Sequence, residues 1–206
     1  MPSTSGTSVW RTSTGGRSAK DWVEVTPDSQ NWHAGDYVWD GDGYAAIAGS
    51  SFCNSSDFGT SWACSSAEDT LSGMDGGIAC SGEAPGVGVC LTGGGEISPA
   101  VAGWVHVSAN GGKTWGPRAL TAAFPIRSVI ALPNLLIAAG GNFFSAVGGV
   151  YVSSDNGASW ELSLDLGQEV KACRALPIPA LKVTRVWCVS AGQGGGSIVS
   201  ADVKTA

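Results

Sequence analysis

An eight-residue pattern that keeps returning constrains this chain more than any other feature. Ser55-Ser56-Asp57-Phe58-Gly59-Thr60-Ser61-Trp62 and Ser153-Ser154-Asp155-Asn156-Gly157-Ala158-Ser159-Trp160 both read S-x-D-x-G-x-[ST]-W. Ser108-Ala109-Asn110-Gly111-Gly112-Lys113-Thr114-Trp115 departs only in carrying Asn for Asp. A degenerate copy runs from Thr12 to Ser18, with Thr14 at the Asp position and Gly16 at the Gly position. The glycines of these boxes fall at 16, 59, 112 and 157, at spacings of 43, 53 and 45.

Each box follows a short alternating run: Val9-Trp10-Arg11, Phe52-Cys53-Asn54, Val105-His106-Val107 and Val150-Tyr151-Val152. Alternation of this kind marks a half-buried strand. With the Trp opening the next strand, the box describes a hairpin. Its Asp or Asn accepts backbone N–H bonds inside the turn, its Gly takes positive φ, and its Trp covers the turn. Such a device is structural and needs no substrate. Asp57, Gly59 and Trp62, Asn110, Gly112 and Trp115, and Asp155, Gly157 and Trp160 are therefore assigned to folding.

A period of about 45 residues is that of one four-stranded blade in a β-propeller. Inner strands are expected at Asp36–Trp39, Gly77–Cys80, Ser128–Leu132 and Val170–Arg174. Second strands follow at Tyr44–Ala48, Val87–Leu91, Leu135–Ala139 and Val183–Val189. Asp40-Gly41-Asp42-Gly43 fits the hairpin between the first two strands of a blade, and that plain turn is favoured over a Ca²⁺ site, which needs six or more oxygens. Residues 1–206 are read as one all-β propeller domain of four-stranded antiparallel blades. About four blades are visible; either the ring has four blades with one strand left over or, the favoured reading, the chain is part of a larger ring and truncated at both ends. Gly196–Asp202 looks like another pre-box strand running into the opening S-x-D of a fifth box.

Composition agrees with short strands and tight turns: 31 glycines, 43% apolar residues and 14% charged ones. The net charge of −6 and eleven scattered Lys and Arg residues form no basic stripe, which speaks against nucleic acid and anionic membranes. Neither an apolar stretch near 18 residues nor a secretory leader is present, so the chain reads as a processed or trimmed form.

Six cysteines occupy positions 53, 64, 80, 90, 173 and 188. Six allow fifteen pairings, but the repeat singles out Cys53–Cys64, Cys80–Cys90 and Cys173–Cys188, each within one hairpin. Metal binding is the competing reading. It is disfavoured because C-x-x-C pairs are absent and His33 and His106 fall in different blades. Disulfides place the protein in a secreted, periplasmic or organelle-lumen setting. No cofactor or metal is expected.

With its boxes, the chain resembles the Asp-box (BNR) superfamily of propellers. Members include sialidases, plant-polysaccharide glycosidases, sortilin-type receptors and photosystem II stability/assembly factors of the thylakoid lumen. The resemblance implies the fold and leaves the activity open. A sialidase would carry an arginine triad, an F/Y-R-I-P element, a Tyr–Glu pair and an Asp acid/base. Here Phe124-Pro125-Ile126-Arg127 scrambles the element, only six arginines exist, and Tyr37, Tyr44 and Tyr151 lie inside expected strands. Asp75, Glu83, Glu96 and Glu169 form no recognisable pair of the kind glycosidases need.

The remaining expectation is binding. Loops on the face opposite the boxes include Trp32, His33, Phe124, Phe143 and Phe144, with Arg127 and Lys171 aligned as a small basic patch at the start of successive inner strands. Aromatics in loops anchor protein partners or stack on sugars, or simply plug the blade tops. The sequence reading is a non-catalytic binding or assembly propeller that recognises a protein partner. A lectin-like glycan binder and a fragment of a sialidase-like glycosidase are the alternatives. The oligomeric state is open.

Overall fold

The computed structural model describes residues 10–12, 16–25, 37–40, 44–48, 52–55, 57, 59–65, 76–81, 88–96, 102–192 and 195–204. Asp75, Glu83, Trp32 and His33 fall outside them, as do residues 41–43 of the expected hairpin turn. The described residues are nearly all β, with every strand pairing antiparallel.

β1 (Trp10–Thr12) pairs with β2 (Trp22–Glu24) across a single 3₁₀ turn at Ala19–Asp21. Three four-stranded meanders follow, in the manner of propeller blades. The first is β3 (Tyr37–Asp40), β4 (Tyr44–Ala48), β5 (Phe52–Ser55) and β6 (Ala63–Ser65). The second is β7 (Ile78–Cys80), β8 (Cys90–Glu96), β9 (Ala102–Ser108) and β10 (Arg118–Ala122). The third is β11 (Ile126–Leu132), β12 (Leu135–Asn142), β13 (Val147–Ser153) and β14 (Glu161–Asp165). The last sheet has three strands, β15 (Glu169–Ile178), β16 (Val183–Gly192) and β17 (Gly195–Lys204).

The sheets stack because alternate side chains of each strand point to opposite neighbours. Leu91, Val105, Leu120, Ile126, Leu136 and Ala138 fill the layer between the second and third four-stranded sheets. Leu135, Ile137, Ala139, Val150 and Val152 face the other way, onto Val170, Cys173, Val186, Cys188 and Val203 of the last sheet. The third four-stranded sheet is thus covered on both sides.

Three disulfides staple hairpins: Cys53–Cys64, Cys80–Cys90 and Cys173–Cys188, with Cα atoms 4.0, 4.0 and 4.1 Å apart. Each pair sits directly opposite in register, where the strands themselves bring the two Cβ atoms within bridging distance. A chain holding three such bridges belongs in an oxidising compartment. No helix among the described residues is long and apolar enough to cross a membrane.

The expected fifth box does not turn. β17 continues through Ser200 and Asp202 to Lys204 in unbroken register with β16. Arg185, directly across the ladder, donates two bonds to the Asp202 carboxylate at 2.7 and 2.8 Å. Lys204 stands where the other boxes carry their positive-φ glycine, and the guanidinium fork holds the Asp202 pKa below its ordinary value.

Candidate functional site

Strands run between two ends of each sheet. One end carries the box turns and the β11–β12 and β15–β16 turns; the opposite end carries the loops from second to third strand and from fourth strand to the next sheet.

At the box end the chemistry repeats. Ser61 N–H, Thr114 N–H and Ser159 N–H donate to Oδ1 of Asp57, Asn110 and Asp155 at 2.8, 2.9 and 2.9 Å. The Gly59, Gly112 and Gly157 amides donate to the hydroxyls of Ser55, Ser108 and Ser153 at 2.7, 2.8 and 2.8 Å. All three glycines have positive φ, from +77° to +89°, where a Cβ is strained. The Ser61 and Ser159 hydroxyls and N–H groups hold the Asp57 and Asp155 carboxyls at pKa values of about 2.

The tryptophans vary more. Trp115 and Trp160 Nε1 donate to the Gly112 and Gly157 carbonyls at 3.1 and 3.2 Å, whereas Trp62 Nε1 reaches back 37 residues to the Val25 carbonyl at 2.7 Å. The degenerate first copy is more complete than its sequence suggests. Gly16 N–H donates to Thr12 Oγ1 at 3.0 Å, and Trp22 Nε1 donates to the Gly16 carbonyl at 3.3 Å. Trp22 therefore closes this turn although it stands three positions later than the pattern requires.

The opposite end is drawn together by glycines rather than polar side chains. A Cβ on Gly103 would strike the Phe124 carbonyl, and one on Gly148, 45 residues later, would strike the Gln168 carbonyl. Gly141 lies so close to the next sheet that its Cβ would sit 2.6 Å from Glu169 Cα, and its N–H donates to the Pro125 carbonyl at 3.0 Å. The segments around 124–127, 140–148 and 166–171 therefore converge on one surface.

On that surface Phe143 and Phe144 project from the β12–β13 turn. Phe144 is 78% exposed, meets Phe143 edge to face at 5.8 Å, and is joined by half-exposed Val147. The turn is set by buried Asn142, whose Oδ1 accepts the Phe144 N–H at 2.9 Å. Beside it, the Glu169 carboxylate is buried between two cations, with Lys171 Nζ at 2.7 Å and Arg127 Nε at 3.6 Å. Arg127 and Lys171 are thus not an open basic patch: Glu169 bridges them and cancels one of the two charges. Gln168 ties the same loop to Ser190 and Ser197.

Phe124, expected as an exposed loop aromatic, is not one. It is 5% exposed and packs against Tyr151 at 5.5 Å, inside the layer between two sheets. Its backbone sits in a loop, with its carbonyl against Gly103, and its ring turns inward. The described arginines are dispersed. Arg127 pairs with Glu169, Arg185 with Asp202, and Arg118 lies 4.6 Å over the Trp104 ring. His106 is buried, with Nδ1 3.0 Å from the Gly116 carbonyl, and so fixes the strand after its box. No cluster of three or more His, Cys, Asp or Glu ligands forms among the described residues.

No family model matches the chain, and no curated protein matches it in sequence. Solved structures do match in backbone. A chain of the nidogen/laminin complex matches with TM-score 0.57 and 10% identity, over 90% of this chain and 69% of that one. A leech intramolecular trans-sialidase, complexed with 2,7-anhydro-Neu5Ac, matches with TM-score 0.55 and 14% identity, over 96% of this chain and 36% of that one. The Niastella koreensis GH74 enzyme matches with TM-score 0.51 and 19% identity, over 84% and 24%. This chain spans well under two thirds of either enzyme. At these identities the likeness is one of fold, and the fold is a sialidase-like propeller arrangement of antiparallel sheets.

Proposed function

We infer that this is an Asp-box propeller module that binds a protein partner through the face opposite its boxes and performs no catalysis there. The three four-stranded sheets and the three-stranded last sheet would be its blades. The observation that carries the reading is the apolar knob of Phe143, Phe144 and Val147, exposed beside the Lys171–Glu169–Arg127 triad. Large exposed aromatics are the usual anchors of protein interfaces, with a polar rim around them. The two rings meet edge to face, whereas a sugar stacks on an open aromatic face within a cleft.

Of the four candidate carboxylates, Asp75 and Glu83 lie outside the described residues. Glu169 is committed to two cations, and Glu96 stands exposed at the end of β8. A glycosidase needs two carboxyls facing one substrate bond. The backbone likeness to a chain of a nidogen/laminin complex is in keeping with a protein-binding role, and the three disulfides with a secreted, periplasmic or organelle-lumen setting, the thylakoid lumen among them.

A photo-crosslinking side chain installed at position 144, used on material from the native compartment, tests the reading. A discrete protein adduct that disappears in Phe143→Ala is expected. Saturable binding on a glycan array, or turnover of a fluorogenic sialoside, would instead assign the same face to carbohydrate.

A further inference from the structure

Two hairpins that begin alike end differently. Leu132-Pro133 on β11 and Leu176-Pro177 on β15 correspond, each leucine standing four residues past a register shift that ends at Ser128 or Ala172. In the third four-stranded sheet two residues, Pro133 and Asn134, then join Leu132 to its partner Leu135. In the last sheet eight residues, 177–184, join Leu176 to its partner Arg185. The pairs Pro177–Thr184 and Ile178–Val183 are added, and Pro179–Leu181 makes a 3₁₀ turn.

The added turn is apolar where turns are ordinarily polar. Ala175 to Leu181 reads A-L-P-I-P-A-L. Leu176 is 55% exposed and Leu181 62%, and Pro177, Pro179 and Ala180 are exposed with them. Leu176 and Pro177 are neighbours on one strand, so they point to opposite faces, and both meet solvent. Another sheet packed alongside would not hide this turn. The third four-stranded sheet is covered on both sides, yet its Pro133 and Asn134 remain exposed.

Cations collect around the turn. Residues 169–204 hold five of the eleven Lys and Arg residues against two acids, Glu169 and Asp202, a net charge of +3 within a chain of net charge −6. Glu169 is buried at the opposite end, and Asp202 is held by Arg185. Exposed Lys182 closes the turn by donating its N–H to the Pro179 carbonyl at 3.2 Å. Exposed Lys204 stands opposite Val183, on the rung nearest the turn. Scattered along the sequence, these charges are gathered by the sheet.

We propose that the turn at 176–182 is an anchor for an anionic membrane surface. Leu176, Leu181 and the two prolines enter the interfacial layer, while Lys182 and Lys204 stay with the headgroups. Lipid surrounds a projecting tip on every side, whereas a protein partner covers one face of it. Pro177 and Pro179 have no N–H to strip of water on entry, and the same lack bars a partner strand from adding there. Apolar area and attraction of cations to anionic lipid add in such binding. The anchor lies at the opposite end from the Phe143–Phe144 knob, so a membrane-bound molecule presents that knob away from the bilayer.

Flotation of the full chain with vesicles tests the anchor. Partition onto phosphatidylcholine and phosphatidylglycerol in equal parts is expected at low salt, and loss of most of it on pure phosphatidylcholine. Leu181→Ser should weaken partition about tenfold. Lys182→Asn, which keeps a residue tolerant of the positive φ there, should weaken it about fivefold. Both positions are exposed, and unchanged thermal unfolding checks that the variants fold. Phe144→Ala should float like the wild type, which separates this surface from the protein-binding one. The proposal is overturned by no flotation, by equal flotation on both lipids, or by a Leu181→Ser variant that floats undiminished. A photo-crosslinker at position 181 that captures a discrete protein from membrane-free material, with no flotation, would overturn it in favour of a protein partner.

Discussion

The two ends of the sheets solve the same problem by opposite means. At the box end, side chains do the closing: a serine hydroxyl and an Asp carboxylate or Asn carbonyl oxygen recur in the same roles at 55–62, 108–115 and 153–160, and the indole N–H closes the last two turns onto their own glycines. At the other end side chains are absent where the backbone closes, and Gly103 and Gly148 let carbonyls come to contact. Side chains on that second surface are therefore free to differ from sheet to sheet, as Phe124 and Gln168 already do. Repetition marks the end that folds the chain, and divergence marks the end available for recognition.

Gly148→Ala is expected to have the largest effect. Its Cβ meets the Gln168 backbone carbonyl, which cannot swing aside like a flexible side chain. A loss of about 3 kcal/mol is expected from such overpacking, read from the urea midpoint. A loss near zero would show that the glycine end is not closed by contact.

Ser153→Ala should come next. It strands the buried Gly157 N–H and removes a donor to Asp155, for a loss of about 2 kcal/mol. If Ser108→Ala, in the Asn-containing box, costs the same, the serine and not the charge carries the turn.

Asp155→Asn tests the charge itself, with Asn110 as the internal precedent. The Asp155 carboxyl is lowered from 3.8 to about 2 by the Ser159 hydroxyl and N–H and by the Ser153 hydroxyl. A depressed carboxyl stabilises the fold fully above about pH 4 and loses that contribution as pH falls toward about 2. Wild-type stability should therefore fall more steeply between pH 4 and 2 than that of the variant, in parallel denaturation curves. Equal slopes would mean that the box carboxylates are spectators.

Smallest of all on stability is Phe144→Ala, a change within about 0.5 kcal/mol as for other exposed sites. Its effect should appear in partner capture instead. A variant that lost stability but not capture would reverse the assignment of the two ends.

Much of the architecture was legible because its signals are local. Alternation before each box and the hairpin spacing placed most second strands: Tyr44–Ala48 matches β4 residue for residue and β15 and β16 run longer at their ends than expected, but the strand expected at Val87–Leu91 shares only Cys90 and Leu91 with β8 (Cys90–Glu96). Cysteine pairs followed from strand register. Three features were misread or not legible, two of them for non-local reasons. Phe124 in a loop looks the same in sequence whether its ring projects or turns inward. Asp202 reads as a box carboxylate, but Lys204 stands where the other boxes carry their positive-φ glycine, and Arg185 takes the carboxylate across the ladder. The glycines at 103 and 148 match in spacing, but only the carbonyls they face reveal why.

Trp22 carries a consequence for anyone who would alter this molecule. The first turn accommodates three extra residues between glycine and indole and still makes its closing bond. Insertion at that step is thus already tolerated once in this chain, on the surface remote from the proposed binding face. It is the natural place to graft a reporter or an affinity handle, since the added loop would leave recognition on the far side untouched.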